Sequence, residues 1–165
     1  MSNVLANNQK IASSHTIATL HESYTQASKC QIDEEQFVTL LTFYPAMLVV
    51  GADGAIDDEE SIYVKHIAKF MANNYGESHS KEVRSLEKQF DAALHFLYEH
   101  QSQWEAPFLQ VLHNYLQEIP LLKENIAEVM LMFADSSHRI SAQENKVIRD
   151  VAEFLEIDIA LFDLN

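Results

Sequence analysis

The chain has 165 residues, about the length of one globular domain, and 47% of them are hydrophobic. Eleven lysines and arginines against 25 aspartates and glutamates give a formal net charge of −14. This balance argues against a nucleic-acid partner, because phosphate binding depends on clustered basic side chains. It argues equally against binding to an anionic membrane surface.

The first helices can be predicted from apolar spacing and capping residues. Apolar positions that recur every three to four residues predict a helix over 9–29. Asp33, with Gln36 three residues later, predicts the capped start of a second helix that runs to about Gly51. Pro45 lies inside this helix, and because its ring removes one backbone hydrogen bond, we expect a kink there rather than two helices.

The middle of the chain predicts two longer helices. The first covers 58–74, with Gly76 as its C-terminal cap, and the second covers 81–101. Residues expected to face the core share helical spacing in each: Ile62, Tyr63, Ile67, Phe70 and Met71, then Val83, Leu86, Phe90, Leu94 and Leu97. We expect 102–107 to form a turn, with Pro107 in the first position of the next helix.

The C-terminal part continues the helical pattern. Pro120 is expected to open one helix, a last long helix is predicted over 142–155, and 158–165 can add a short helix on the core. No segment shows the period-two alternation of a strand. The sequence therefore predicts an all-α fold, a compact bundle of seven to eight helices that forms a single domain over 1–165.

Cellular location is inferred from cysteine use and hydropathy. Cys30 is the single cysteine, so no intramolecular disulfide forms and a reducing compartment is expected. Residues 1–20 lack a basic stretch followed by an apolar core, so no signal peptide is predicted. The longest uncharged run, 37–52, falls short of the ~20 residues that span a bilayer and predicts a buried central helix. We expect a cytoplasmic protein without direct membrane insertion.

The chain contains two copies of one pattern, in which an acidic turn joins an apolar helix to a second helix. The first copy spans about 37–73 and the second about 121–157. From Ile56 and Ile140 onward the copies align without gaps, and the second turn carries two extra residues. Such self-similarity indicates an internal pseudo-two-fold duplication of helix, acidic turn and helix.

Acidic side chains recur in both turns and are the candidate metal ligands. These are Asp53, Asp57 and Glu60 in the first turn, and Asp135 and Glu144 in the second. Segment 53–60 matches the back half of a calcium-binding EF-hand loop, but Val49 and Gly51 stand where the first ligands would fall. One turn therefore cannot supply the roughly six to eight oxygens that calcium takes. Two turns brought face to face could pool their carboxylates around one divalent cation.

A second interpretation of these acids needs no metal. Segments 57–60 and 141–144 have the spacing of capping boxes, in which a side-chain oxygen and a glutamate bind the free N–H groups of a helix start. Acids in a first helical turn also interact favourably with the helix dipole. Asp53 and Asp135 precede these caps, so capping explains them less well.

These turns also resemble a known family. An apolar helix followed by Ala52-Asp53-Gly54, Ile56 and Glu59-Glu60, with a degenerate copy ahead of the final helix, resembles the tellurite-resistance TerB family. The same module occurs as the N-terminal part of certain membrane-anchored DnaJ-like co-chaperones. The resemblance implies a compact all-α domain with pseudo-two-fold symmetry, whose clustered acids are proposed to bind a divalent metal and for which no catalytic activity is established.

The resemblance carries over to the acids at matching positions. They are Asp53, Glu59 and Glu60 in the first copy and Asp135 and Glu144 in the second. The chain departs from the family pattern in the second copy, where Ser136 follows the aspartate in place of glycine and two residues are inserted.

Other sites are weakly indicated. His95, Glu99 and His100 resemble the inverted zinc-protease motif, but one residue too many separates the first histidine from the glutamate, so we expect a solvated polar face. His138 in the second turn would favour zinc or another transition metal over calcium if it were a ligand; a solvent-exposed histidine is the alternative. A glycine-rich phosphate loop and a nucleophile elbow are both missing, and no enzyme is expected.

Two functional classes remain open. The first is a non-enzymatic protein in which both turns hold a divalent cation, whether calcium, magnesium or a transition metal; the resemblance links it to tellurite or general stress resistance in a bacterium. The second is a protein–protein interaction module in which the acids only cap helices and an exposed apolar groove binds a partner helix. The protein partner would belong to a stress complex or be membrane-associated.

Overall fold

The computed structural model describes residues 16–54, 58–79, 82–135 and 140–162, with the backbone alone for 58–60 and 135. Seven α-helices and one 3-10 helix lie in these ranges: α1 Ile17–Ser28, α2 Glu34–Val50, α3 Asp58–His79, α4 Val83–Glu99, α5 Gln101–Glu118, α6 Leu122–Asp135, α7 Ala142–Leu155 and the 3-10 helix Ile159–Phe162. No strand occurs in the described ranges. The predicted all-α bundle is confirmed, while the internal duplication stays a prediction.

Helix α2 is the central helix, as its apolar sequence predicts. It contacts every other α-helix in the described ranges. The side chains that it contributes to the core at no more than 1% exposure include Phe37, Leu40, Leu41, Tyr44 and Met47. Burying a side chain of this size stabilises the fold by about 1.5–3 kcal/mol. The helix is continuous through the buried Pro45.

Local capping sets the start of α2 where the sequence predicts it. Asp33 Oδ1 accepts a hydrogen bond from the Gln36 N–H at 2.8 Å, and Gln36 Oε1 accepts one from the Asp33 N–H at 2.9 Å. These two bonds satisfy backbone donors that have no partner within the helix. The predicted apolar stripe of α4 is likewise buried at Leu86, Phe90, Leu94 and Leu97.

An aromatic cluster joins α1, α2 and α5 around Phe108. The ring centroid of Phe108 lies 4.9 Å from that of Tyr44, 5.5 Å from that of Phe37 and 5.7 Å from that of Tyr24. Trp104 is 5% exposed and packs edge-on against Tyr24 at 5.7 Å. Contacts of this geometry add about 0.5–1.5 kcal/mol each to the burial of the rings.

Helix α3 is longer than predicted, because Gly76 does not cap it. The helix continues to His79, and Gly76 is buried inside it. Tyr75 is 5% exposed and stacks on the His79 ring at 3.9 Å. Packing of this last turn outweighs the helix penalty of glycine, which is about 1 kcal/mol. The predicted core position of Ile62 is also wrong, since its side chain is 52% exposed while Val64 is buried.

The predicted turn over 102–107 is wrong, because α5 begins at Gln101 and contains Pro107. Trp104 and Phe108 lie one helical turn apart, and both are buried in the aromatic cluster. Burial of these rings therefore favours a helix that starts early. Proline at position 107 deprives the Gln103 carbonyl of its helical partner. Gln103 is exposed, so water can satisfy that carbonyl.

Candidate functional site

The first acidic turn begins where α2 ends. The Gly51 N–H donates to the Met47 carbonyl at 2.9 Å, and the Gly54 N–H donates to the Gly51 carbonyl at 3.2 Å. The chain therefore leaves the helix in a tight turn. Asp53 lies in this turn with its side chain exposed to solvent, where a cation could reach its carboxylate.

The two glycines of this turn have different roles. At Gly51, an added Cβ would lie 2.8 Å from Cε2 of Tyr98, so the last turn of α4 packs directly on the end of α2. At Gly54 an added Cβ would meet nothing within 4 Å, but the backbone φ is +83°, a conformation that residues with a Cβ rarely adopt. Close packing at Gly51 and the backbone conformation of Gly54 together set the path of the chain through Asp53.

The second copy of the pattern contains the predicted capping box. Ser141 Oγ accepts a hydrogen bond from the Glu144 N–H at 3.1 Å, and Glu144 Oε2 accepts one from the Ser141 N–H at 2.7 Å. Helix α7 starts at Ala142 and ends at Leu155, the predicted bounds. Capping is thus confirmed for Glu144, and its role as a metal ligand stays a prediction.

The contacts of α3 determine the relative direction of α2 and α6. Helix α3 runs antiparallel to α2, since Glu35 near the start of α2 lies 2.9 Å from Nε2 of His79 at the end of α3. Asn74 lines a cavity with residues from the first half of α6. Phe70, one turn nearer the start of α3, contacts Phe133 near the end of α6 at 6.1 Å. Helix α6 therefore also runs antiparallel to α3, and α2 and α6 share one direction.

This shared direction bears on the proposed cation site. The first acidic turn follows the C-terminal end of α2, and α6 ends at Asp135. Both helix ends consequently lie toward the same end of the bundle, which a shared cation requires. The position of α7 agrees with this arrangement. Lys123 at the start of α6 donates to the carbonyl of Glu156, directly after α7, at 3.0 Å. Helices α6 and α7 are therefore antiparallel, and α7 begins near the C-terminus of α6.

The five predicted ligands are only partly covered by the described residues. Asp53 and Glu144 have described side chains, whereas Asp57 lies outside the described residues. Glu60 lies in the first turn of α3, and Asp135 is the last residue of α6. For both residues the structure describes the backbone but not the side chain. In the described part of the chain, no group of three or more histidine, cysteine or acidic side chains is placed to hold a metal ion. The five-carboxylate site therefore stays a prediction.

His95 of α4 and His100, which directly follows that helix, both contact residues of α4. His95 Nδ1 lies 2.9 Å from the Asp91 carbonyl and 3.1 Å from the Asp91 carboxylate. His100 Nδ1 lies 2.9 Å from the Phe96 carbonyl, and its ring stacks on the Phe96 ring at 4.3 Å. Each ring therefore has a partner four residues earlier in the chain. His138 lies outside the described residues.

The titratable groups with strongly shifted pKa values belong to the core. Burial raises the pKa of Tyr24 and of Tyr44 well above the usual 10.0, with nearby Cys30 and Glu105 adding to the two shifts respectively. Tyr24 donates to the Ala93 carbonyl at 3.1 Å, whereas Tyr44 Oη has no hydrogen-bond partner among the described residues. Both hydroxyls stay neutral at physiological pH, so they act as core groups and not as acids or bases.

An apolar groove lies between α2, α3 and α6, at a place that the sequence does not predict. Its volume is about 320 Å³, and the residues that line it are Thr42, Phe43, Phe70, Asn74, Leu122, Asn125, Ile126, Glu128 and Val129. The Phe43 and Phe70 rings lie 5.8 Å apart on its wall. Leu121, next to the lining residue Leu122, is 83% exposed. Spacing shows which face of a helix is apolar, but only the packing of three helices leaves part of that face uncovered.

In the described ranges, no helix combines the length and the hydropathy needed to cross a membrane. Comparison of the chain with protein-family models, with curated proteins and with solved structures finds no match.

Proposed function

We propose that the chain is a non-enzymatic, cytoplasmic, metal-responsive helical domain in which the two acidic turns hold one divalent cation. The observation that supports this proposal is the shared direction of α2 and α6, which brings the ends of both helices toward one end of the bundle. Acids that gather there would repel one another, and a shared cation would relieve that repulsion while fixing the two helix pairs.

The proposed ligands favour a hard cation. Asp53, Asp57, Glu60, Asp135 and Glu144 offer only carboxylate oxygens, which suit calcium or magnesium. A transition metal would require a nitrogen ligand such as His138. Following the resemblance to the TerB family, the cation would couple the protein to tellurite or general stress resistance, through a stress-complex or membrane-associated partner.

The test is a series of thermal melts in EDTA and then in excess calcium, magnesium, manganese or zinc. A ligand that binds only the native state, at 100 times its dissociation constant, adds about 2.7 kcal/mol. For a chain of this size that raises Tm by about 5–10 °C. Asp53→Asn and Asp135→Asn should each reduce the shift, and Glu22→Gln is the matched control, since Glu22 is an exposed acid on α1. Melts indifferent to all four ions would refute the proposal.

A second function, a protein–protein interaction module, is favoured by the apolar groove. Its occupant would be an amphipathic helix with a basic polar face. Glu128 is the only charged residue among those lining the groove, and the chain as a whole carries a net charge of −14. Apolar side chains of the helix would fill the groove between Phe43 and Phe70, and its cations would meet the acidic surface.

The probe for this function is a synthetic leucine–lysine amphipathic helix, followed by fluorescence anisotropy. Val129→Glu should abolish binding, because residue 129 lines the groove. Ile62→Glu places the same charge on an exposed apolar position of α3 outside the groove lining and should leave binding unchanged. Equal loss in both variants would show that charge alone, and not the groove, governs binding.

A further inference from the structure

A basic cleft lies between α3 and α4. Its volume is about 380 Å³, and the residues that line it are Lys65, Arg84, Glu87, Lys88 and Asp91. Three of the 11 basic residues of the chain therefore line one cleft, on a protein with a net charge of −14. Lys65 comes from α3, and Arg84 and Lys88 come from α4.

The described residues offer no ionic partner to the three cations of the basic cleft. Among the described residues, no ion pair or side-chain hydrogen bond involves Lys65, Arg84 or Lys88, although all three are exposed. Asp91 instead lies 3.1 Å from His95. By contrast, Lys146 on α7 lies 2.6 Å from the Asp150 carboxylate. The cleft thus keeps its positive charges available.

Helix stability accounts for only part of this arrangement, because Glu87 and Asp91 stand three residues after Arg84 and Lys88, a spacing at which opposite charges attract. Arg84 and Lys88 are four residues apart on α4, and like charges at that spacing destabilise a helix by about 0.2–0.5 kcal/mol. Lys65 adds a third like charge across the seam between the helices. An anion in the basic cleft would neutralise this repulsion.

We propose that the basic cleft binds the phosphate group of a small phosphate monoester. The planar guanidinium of Arg84 suits two oxygens of a phosphate, and Lys65 and Lys88 supply point charges for a dianion. The lining also holds two acids, but Asp91 lies beside His95, so the three cations face Glu87 and keep an excess of positive charge. A volume of about 380 Å³ matches the small-molecule range of roughly 300–1,000 Å³.

The net negative charge of the chain favours a small anionic ligand over an extended one. Nucleic acids and anionic bilayers extend over the surface and would meet the excess of acids that gives the chain its charge of −14. A compact dianion inside the cleft would have the three cations in the surrounding wall, while acids farther than the Debye length of about 8 Å are screened. Glu87 provides an acceptor for a hydroxyl of the ligand and disfavours a second phosphate nearby.

The test is an amide NMR titration of the full chain with glycerol 3-phosphate and, in parallel, with inorganic phosphate. EDTA is present throughout and chloride holds the ionic strength constant, so the result does not depend on the proposed cation site. We expect saturable shifts centred on residues 65, 84 and 88. Arg84→Gln should weaken binding by about tenfold or more, the effect of losing a charge-assisted hydrogen bond.

The matched control is Lys146→Gln, which removes the same charge from an exposed position on α7 and should leave the affinity unchanged. Without phosphate, Arg84→Gln should not lower the melting temperature, because it relieves a like-charge pair. A linear response to phosphate, equal affinity in Arg84→Gln and the parent, or binding only to phosphatidylglycerol vesicles would overturn the proposal.

Discussion

Gly51→Ala tests the packing that positions the first acidic turn. The added Cβ would lie 2.8 Å from Cε2 and 3.2 Å from Cδ2 of Tyr98, closer than carbon atoms approach without displacement. The backbone φ at Gly51 is −85°, which alanine adopts freely. Conformation alone would therefore favour alanine, and the contact with Tyr98 opposes it.

The two effects can be weighed. Replacing glycine by alanine at a compatible φ stabilises a protein by about 0.4–1 kcal/mol through the unfolded chain. Overpacking a filled site costs about 1–3 kcal/mol, and Tyr98 is partly buried against the core, so its ring cannot move freely. We expect net destabilisation of about 1–2 kcal/mol, and a fall in Tm of about 2–8 °C at this chain length.

The assay is urea unfolding followed by far-UV circular dichroism on a double-mutant cycle with Tyr98→Ala. Gly51→Ala should be less destabilising, or stabilising, when the Tyr98 ring is absent, since no atom remains for the Cβ to displace. Gly54→Ala gives a comparison of a different kind. An added Cβ at Gly54 meets no atom within 4 Å, but the backbone φ is +83°, so this substitution should destabilise the fold by about 1–2 kcal/mol through backbone strain alone. Identical effects of Gly51→Ala with and without the Tyr98 ring would refute the assigned contact.

Three further predictions concern the helix start and the aromatic cluster. Asp33→Ala removes the cap of α2 and should lower the free energy of unfolding by about 1 kcal/mol, measured in urea; no change would mean that the capping bonds contribute nothing. Tyr24→Phe loses the bond to the Ala93 carbonyl and should destabilise by about 1 kcal/mol, whereas Tyr44→Phe removes a hydroxyl without a partner among the described residues and should be neutral or stabilising. Equal losses in these two variants would contradict the difference in their hydrogen bonding. Burial raises the pKa of both tyrosines, so the folded state holds these protons where the unfolded chain ionises. The contribution of the two hydroxyls to stability should therefore be constant below pH 10 and fall above it; a pH series of melts in which Tyr44→Phe reduces the alkaline loss checks this.

The sequence predicts best what short-range interactions decide. The boxes at Asp33 and Ser141 involve residues three apart, so α2 and α7 start where expected. The strong period of α4 identifies its buried face in the same way. The predictions for Gly76 and Pro107 rest on helix propensity, and tertiary packing of Tyr75 and of Trp104 overrides that propensity.

The apolar groove and the basic cleft depend on how the helices pack, which the spacing of residues along the sequence does not reveal. The apolar groove and the basic cleft exist because α3 packs against α2 and α6 on one side and against α4 on the other. Lys65 and Arg84 are 19 positions apart in the chain, and only the antiparallel pairing of two helices brings them to one cleft. The shared cation likewise requires two turns about 80 residues apart in the chain to lie close together in space. The repeated motif suggests this proximity, and the shared direction of α2 and α6 supports it.

The most direct test of the shared cation is a manganese titration of the labelled protein followed by amide NMR. Paramagnetic broadening should reach the residues around Asp53 and those around Asp135 together, with one midpoint and a stoichiometry of one ion per chain. Broadening confined to one turn, or two separate midpoints, would contradict a single cation held between the two acidic turns.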